Sequence, residues 1–167
     1  LNIPVGNADI SSVRYGFTGG APLPTEVGKA LMKTLGKPLL EGYGMTETTS
    51  FVTMLPRDGK PAVGSAGIVL PHCQVRTVAL DDDGQVLRDC EIDEIGVVLM
   101  GGAGITPGYV QEQYNEGAIL ADGWLNSGDL GRFDSDGLLW LTGRAKDLII
   151  RGGHNIDPAG IEETLHQ

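Results

Sequence analysis

Between Pro24 and Leu35 the sequence reads as a helix, flanked by two runs that read as short strands, Ser12–Phe17 and Pro38–Leu40. Val27, Ala30, Leu31, Thr34 and Leu35 recur at helical spacing and are expected to share one face. Gly36 suits the C-terminal cap, where a left-handed backbone is needed. Strand, helix and strand in this order make a βαβ unit. Its two Gly-rich segments, Thr18-Gly19-Gly20-Ala21-Pro22 and Glu41-Gly42-Tyr43-Gly44-Met45-Thr46-Glu47, then fall at strand C-terminal ends. Ligands bind α/β sheets at those ends.

From about Lys60 the pattern changes. Gln74–Leu80, Ile95–Met100, Leu125–Gly131 and Leu138–Gly143 are expected to be strands, with hairpin turns at Asp83-Gly84 and Asp136-Gly137. Closely spaced short strands predict a small antiparallel sheet or a partly closed barrel. Glycine makes up 26 of 167 residues, which suits tight turns and close approach to a ligand. Near Asp147 a third region opens with a short strand, Leu148–Ile150, and a loop through Gly152 and Gly153. Asp157 and Pro158 are expected to start a helix carrying Ile161, Glu162 and Leu165. The expected fold class is therefore α/β plus β. Three parts are expected: 1–59 from an α/β domain, 60–144 as a β-rich subdomain, and 145–167 as a hinge with the first strand and helix of a small α+β domain.

A net charge of −10 argues against a nucleic-acid surface, which needs a basic patch, and is read as a solubility feature. Asp81-Asp82-Asp83 followed by Gly84 reads as a solvated turn and not a metal site. Cys73 and Cys90 lack metal-ligand spacing and are expected to be reduced thiols. No apolar run reaches the roughly 18 residues of a membrane span, so no transmembrane helix is expected, and no signal peptide is visible; the reduced thiols lead to the expectation of a cytoplasmic protein. Trp124 is expected to serve packing, and His154 to be a loop residue without a carboxylate partner.

The segment Glu41–Glu47 carries the strongest chemical suggestion. Tyr43 offers a flat π face with a polar tip. Thr46 and Glu47 offer hard oxygens of the kind Mg²⁺ selects. A planar base, a phosphate and a metal could meet here, although a strand-to-turn junction with a surface Glu would read the same way in isolation.

Two later stretches shift that balance. They are Gly123-Trp124-Leu125-Asn126-Ser127-Gly128-Asp129, and Gly143-Arg144-Ala145-Lys146-Asp147 with Arg151-Gly152-Gly153-His154-Asn155-Ile156-Asp157-Pro158. With Gly19-Gly20-Ala21-Pro22 upstream, the four in this order resemble the adenylate-forming superfamily of acyl-CoA synthetases, luciferases and peptide-synthetase adenylation domains. The resemblance covers almost the whole chain. It implies an ATP-dependent acyl-CoA synthetase. Such an enzyme activates a carboxylic acid, here a fatty or similar acid, as acyl-AMP and passes it to coenzyme A.

By resemblance, Gly19, Gly20, Ala21 and Pro22 form the wall along adenine, and Tyr43 beside Gly44 stacks on the ring. Thr46 contacts phosphate, Glu47 holds Mg²⁺, and Asp129 takes both ribose hydroxyls. Arg144 reaches the ribose and α-phosphate; with Thr46 and Glu47 it is implied as catalytic. Lys146 is the hinge, and Gly152 and Gly153 lie in the loop on the coenzyme A side. Ser127 stands where the family usually has Thr, and Gly160 where a Glu is common. The family's pyrophosphate-gripping loop, its upstream acyl-pocket motif and its late catalytic Lys have no counterpart. The chain is therefore expected to be a truncated middle piece, inactive in isolation. Two other readings stay open: an adenylation domain that loads a carrier-protein thiol, and a non-catalytic nucleotide-binding or interaction module.

Overall fold

The computed structural model describes residues 9–21, 23–60, 62–81 and 83–147, and the backbone of 149–151 and 154–156. Strand β1 (Gly16–Gly19) runs parallel to β2 (Leu39–Gly44), and α1 (Thr25–Leu35) is the crossover between them. The predicted βαβ unit is therefore present. Its first strand begins four residues later than expected, because Gly16 is the residue that meets Leu39 across the pair. Glu26 in the first turn and Lys33 in the last complement the helix dipole. Gly36 ends the helix at φ 60°, and its amide donates to Met32 O.

The face of α1 differs from the expected one. Val27, Ala30 and Thr34 are exposed, while Gly28 is the buried residue of the helix. A Cβ at Gly28 would lie 3.3 Å from Leu23 Cδ2 and 3.5 Å from Val63 Cγ1. The inward stripe is thus Gly28, Leu31, Met32 and Leu35, and its first member is a residue with no apolar side chain to announce it.

Two further strands complete the first sheet. β3 (Phe51–Met54) pairs antiparallel with β2, and β4 (Ile68–Val69) with β3, giving the order β1-β2-β3-β4. The second sheet is antiparallel throughout. Its strands are β5 (Cys73–Leu80), β6 (Val86–Asp89), β7 (Gly96–Gly102), β8 (Leu125–Phe133) and β9 (Leu139–Arg144), in the order β6-β5-β7-β8-β9. This is an open sheet and not a closed barrel. The turns fall where glycine predicted them: Asp81 Oδ1 accepts from the amides of Asp83 and Gln85, and Asp134 Oδ1 from those of Asp136 and Leu138. β10 (Ile149–Arg151) and β11 (His154–Ile156) form an antiparallel pair, which places His154 at the start of a strand rather than in a loop. The expected helix after Asp157 lies outside the described residues.

One core serves both sheets. Val52 of β3 packs with Val98 and Met100 of β7, Leu125 of β8, Leu139 of β9, and Ala66. The segment before β4 stitches the sheets together. The Ala66 amide donates to Leu139 O (2.8 Å) and the Leu139 amide to Gly67 O (2.9 Å). Ser65, fully buried, donates through Oγ to Leu139 O and accepts from the Gly67 amide at 3.0 Å. Thr53 Oγ1, also buried, donates to Ala66 O at 2.8 Å.

Replacing Ser65 by Ala would leave the Gly67 amide buried without an acceptor, at a cost of about 1–3 kcal/mol. Urea unfolding of Ser65→Ala is expected to show a lower midpoint with an unchanged slope. An unchanged midpoint would mean that the stitch does not hold the sheets together.

Candidate functional site

Sequence-distant side chains converge on the carboxylate of Asp129. The antiparallel register sets Asp129 of β8 opposite Arg144 of β9, and Arg144 Nε donates to Asp129 Oδ1 at 2.9 Å. From the other sheet, Tyr43 Oη donates to Asp129 Oδ2 at 2.5 Å across 86 residues of sequence. Asp129 is 8% exposed, whereas the Arg144 side chain is about half exposed (52%). Burial pushes the Tyr43 phenol well above its ordinary pKa, and the hydrogen bond to Asp129 adds to that shift.

Local chemistry aims Asp129. Its amide donates to Ser127 Oγ (3.0 Å), and Ser127 Oγ donates to Val98 O on β7 (2.8 Å). The Gly128 amide donates to Asn126 Oδ1. Ser127, read from sequence only as a mild departure, is thus the residue that clamps this irregular stretch of β8 to the neighbouring strand. A hydroxyl is what the position needs, and Ser supplies it as well as Thr does.

The remaining motif residues lie around the ends of β1 and β2, where Gly19 faces Gly42 across the parallel pair. The reason for glycine at Gly19 is not room for a ligand. A Cβ there would lie 2.6 Å from both Gly42 O and the Phe51 ring, so packing within the sheet requires it. Gly20 differs, with φ 83° and open space where a Cβ would point. Gly20 and Ala21 are exposed, and Pro22 lies outside the described residues.

After Gly44 the chain enters a single 3₁₀ turn, Thr46–Thr48. Thr48, not Thr46, closes it: Thr48 Oγ1 accepts from the Met45 amide, and its one proton lies within reach of the carbonyls of Ser50 (2.6 Å) and Met45 (2.9 Å). Thr46 is left on the surface beside Glu47. Glu47 Oε1 accepts from Tyr109 Oη at 2.6 Å, a contact 62 residues away in sequence. That hydrogen bond, with some burial, raises the Tyr109 pKa. Tyr109 escaped the sequence reading because nothing in a polar loop signals which distant residue it will meet.

The other candidates stand apart. Lys146 is exposed in the 3₁₀ turn Ala145–Asp147 that follows β9. Trp124 packs: the Arg76 guanidinium sits 5.1 Å from its ring centroid, and a Cβ on Gly101 would touch the ring. Gly152 and Gly153 lie outside the described residues. Among the described residues no three His, Cys, Asp or Glu side chains cluster as a ready-made metal cage. No helix in them is long and apolar enough to cross a membrane.

Residues 4–110 match the family model of the AMP-binding enzyme. The chain is 49% identical over 165 residues to the marinolic acid–CoA ligase of Pseudoalteromonas sp. (strain SANK 73390), covering 99% of this chain and 25% of that one. It is 38% identical over 157 residues to the long-chain-fatty-acid–CoA ligase of Yersinia pestis, covering 94% of this chain and 27% of that one. The fold superposes on the O-succinylbenzoate coenzyme A synthetase of Bacillus subtilis in complex with ATP and magnesium ion, with a TM-score of 0.79 and 37% identity. That match covers 96% of this chain and 33% of the other. The chain thus spans about a quarter to a third of the length of these relatives.

Removing the Tyr43 hydroxyl should expose how much the Asp129 charge relies on it. Tyr43→Phe is expected to lower unfolding free energy by about 1.5–3 kcal/mol, the usual worth of a hydrogen bond to a charged group. The phenol's folded pKa lies above its unfolded value of 10.0, so its contribution is complete below about pH 10 and is lost as pH rises further. Urea titrations at pH 8 and above pH 10 should therefore show an alkaline loss of stability that is smaller in Tyr43→Phe. Equal losses in the two proteins would contradict this account of the tyrosine.

Proposed function

The chain belongs to the AMP-binding enzyme family, and we propose that it is part of a longer acid–coenzyme A ligase that adenylates a carboxylic acid and transfers the acyl group to coenzyme A. The observation that carries the proposal is the meeting of Tyr43, Asp129 and Arg144 from two sheets on one carboxylate. A carboxylate has about four acceptor positions, and two are used here. One remains on each oxygen, which suits the two hydroxyls of a ribose. Tyr43 then offers its ring to adenine, with Gly19, Gly20, Ala21 and Pro22 as the neighbouring wall. Arg144, half exposed at the end of β9, has the reach to swing between Asp129 and the α-phosphate.

In the first half-reaction the acid's carboxylate attacks the α-phosphorus of ATP, forming the acyl-adenylate and releasing pyrophosphate. In the second, the coenzyme A thiol takes the acyl group and AMP leaves. This chain's part in the first step is positioning and charge stabilisation. Thr46 donates to phosphate, and Arg144 balances charge on the transferring phosphoryl group. A lone carboxylate with an adjacent hydroxyl fits Mg²⁺, which is commonly held by one or two carboxylates together with substrate phosphates. Glu47 would hold it, and the ion would supply charge neutralisation at the triphosphate. The acid is proposed to be a fatty or similar carboxylic acid. Support comes from the long-chain-fatty-acid–CoA ligase relative, although the relatives as named act on quite different acids. Lys146, two residues past Arg144, is proposed as the pivot between the half-reactions, with the loop through Gly152 and Gly153 on the coenzyme A side.

Two variants of the full-length protein test this. Asp129→Ala is expected to raise the KM for ATP and slow ATP–pyrophosphate exchange, losing at most roughly 1.5–3 kcal/mol for each ribose hydrogen bond. Exchange at the unaltered rate with unchanged KM would remove Asp129 from the nucleotide site. Lys146→Pro fixes φ near −65° and should freeze a pivot that must change backbone angles. Acyl-AMP should still form while thioester formation stops. Equal loss of both half-reactions would point to misfolding, no loss of either would place the pivot elsewhere, and acyl transfer to a carrier protein but not to coenzyme A would change the acceptor.

A further inference from the structure

The loop between β7 and β8 grips the Glu47 turn at three points. The Thr106 amide donates to Glu47 O at 2.7 Å. Thr49 Oγ1 donates to Gly104 O at 2.7 Å. Tyr109 Oη reaches the Glu47 side chain itself. The loop is built to present that hydroxyl. Asn115 brackets Tyr109 on both sides: its Oδ1 accepts from the Tyr109 amide (2.6 Å) and its Nδ2 donates to Tyr109 O (3.3 Å). Thr106 Oγ1 donates to Gly108 O one residue before the tyrosine. The Tyr114 ring lies edge-on to the Tyr109 ring, with centroids 6.4 Å apart. These contacts hold the backbone that carries Tyr109, whose side chain stays 37% exposed.

We infer that Tyr109 is a positioning residue for Glu47: its hydroxyl takes one acceptor position on Oε1 and fixes the carboxylate so that Oε2 is the oxygen offered to a phosphate-bound divalent cation. The inference rests on the reading of Glu47 as the cation's carboxylate. A surface Glu otherwise samples several rotamers, and each must be given up when a metal binds. A donor that fixes the carboxylate in advance removes that cost. Partners of this kind behind a metal ligand typically change metal affinity by 10- to 100-fold when removed. The tyrosine does not touch substrate, so its effect should appear in the metal dependence of binding.

The test is calorimetric binding of a non-hydrolysable ATP analogue to the full-length protein, with saturating Mg²⁺ and with EDTA. In Tyr109→Phe the gain in affinity that Mg²⁺ confers is expected to shrink on the order of 10-fold, with affinity in EDTA unchanged. Glu47→Gln should abolish the gain, and adding Tyr109→Phe to it should change nothing further. If Glu47→Gln loses the gain and Tyr109→Phe keeps it, the inference fails and the function stands. If Glu47→Gln keeps the gain, the reading of Glu47 fails and takes the inference with it. A loss in Tyr109→Phe that is equal in EDTA marks a structural role only and overturns the inference. Asn115→Ala, which frees the loop but keeps the hydroxyl, carries the test should Tyr109→Phe unfold: a selective loss of the Mg²⁺ gain supports the inference, and an intact gain refutes it.

Discussion

A carboxylate at 8% exposure keeps its charge only if donors replace the water it has lost. Asp129 finds them in Tyr43 and Arg144, one on each oxygen. The requirement reaches well beyond one residue. Tyr43 comes from the mixed sheet and Arg144 from the antiparallel one, so Asp129 is satisfied only when the sheets pack in one relation. Removing either donor leaves one buried carboxylate oxygen without its partner while the other donor stays in place.

The same relation is enforced at another place by neutral groups. Ser65, Ala66 and Gly67 exchange hydrogen bonds with Leu139, and Thr53 reaches Ala66. Leu139 also belongs to the shared core with Val52 and Leu125. Apolar burial is non-directional and would tolerate sliding. Hydrogen bonds between buried groups would not. The fold therefore combines an undirected attraction between the sheets with directed contacts at the stitch and at Asp129.

Much of this was legible in the sequence, and what was not has physical causes. The crossover helix and four of the antiparallel strands were readable because their apolar residues repeat at characteristic periods. The inward face of α1 was not, since Gly28 carries no apolar side chain to mark it. β3, β4 and β6 were missed because they are only four, two and four residues long, and three of the four β6 residues are exposed. The motifs single out Tyr43, Asp129 and Arg144 as candidates, but they do not show that the three bond to one another, or that Ser127 acts as a clamp. Tyr109 is the clearest limit. Its partner lies 62 residues away, and contact over that distance is a product of the whole fold.

The β8–β9 hairpin fixes more than a turn. Side chains alternate along a strand with period two, so a slip of one residue would set Gly143 or Ala145, not Arg144, across from Asp129. Two features count out the distance: the tip, where Asp134 accepts from the amides of Asp136 and Leu138 and from Trp140 Nε1, and a one-residue bulge, which shifts the pairing from Gly131 opposite Leu141 to Leu130 opposite Gly143 and so brings Arg144 rather than Gly143 to Asp129. Tip and bulge together act as a ruler laid along two strands. A single residue inserted at the tip would touch nothing at the site, yet it would deliver an uncharged neighbour to a buried anion.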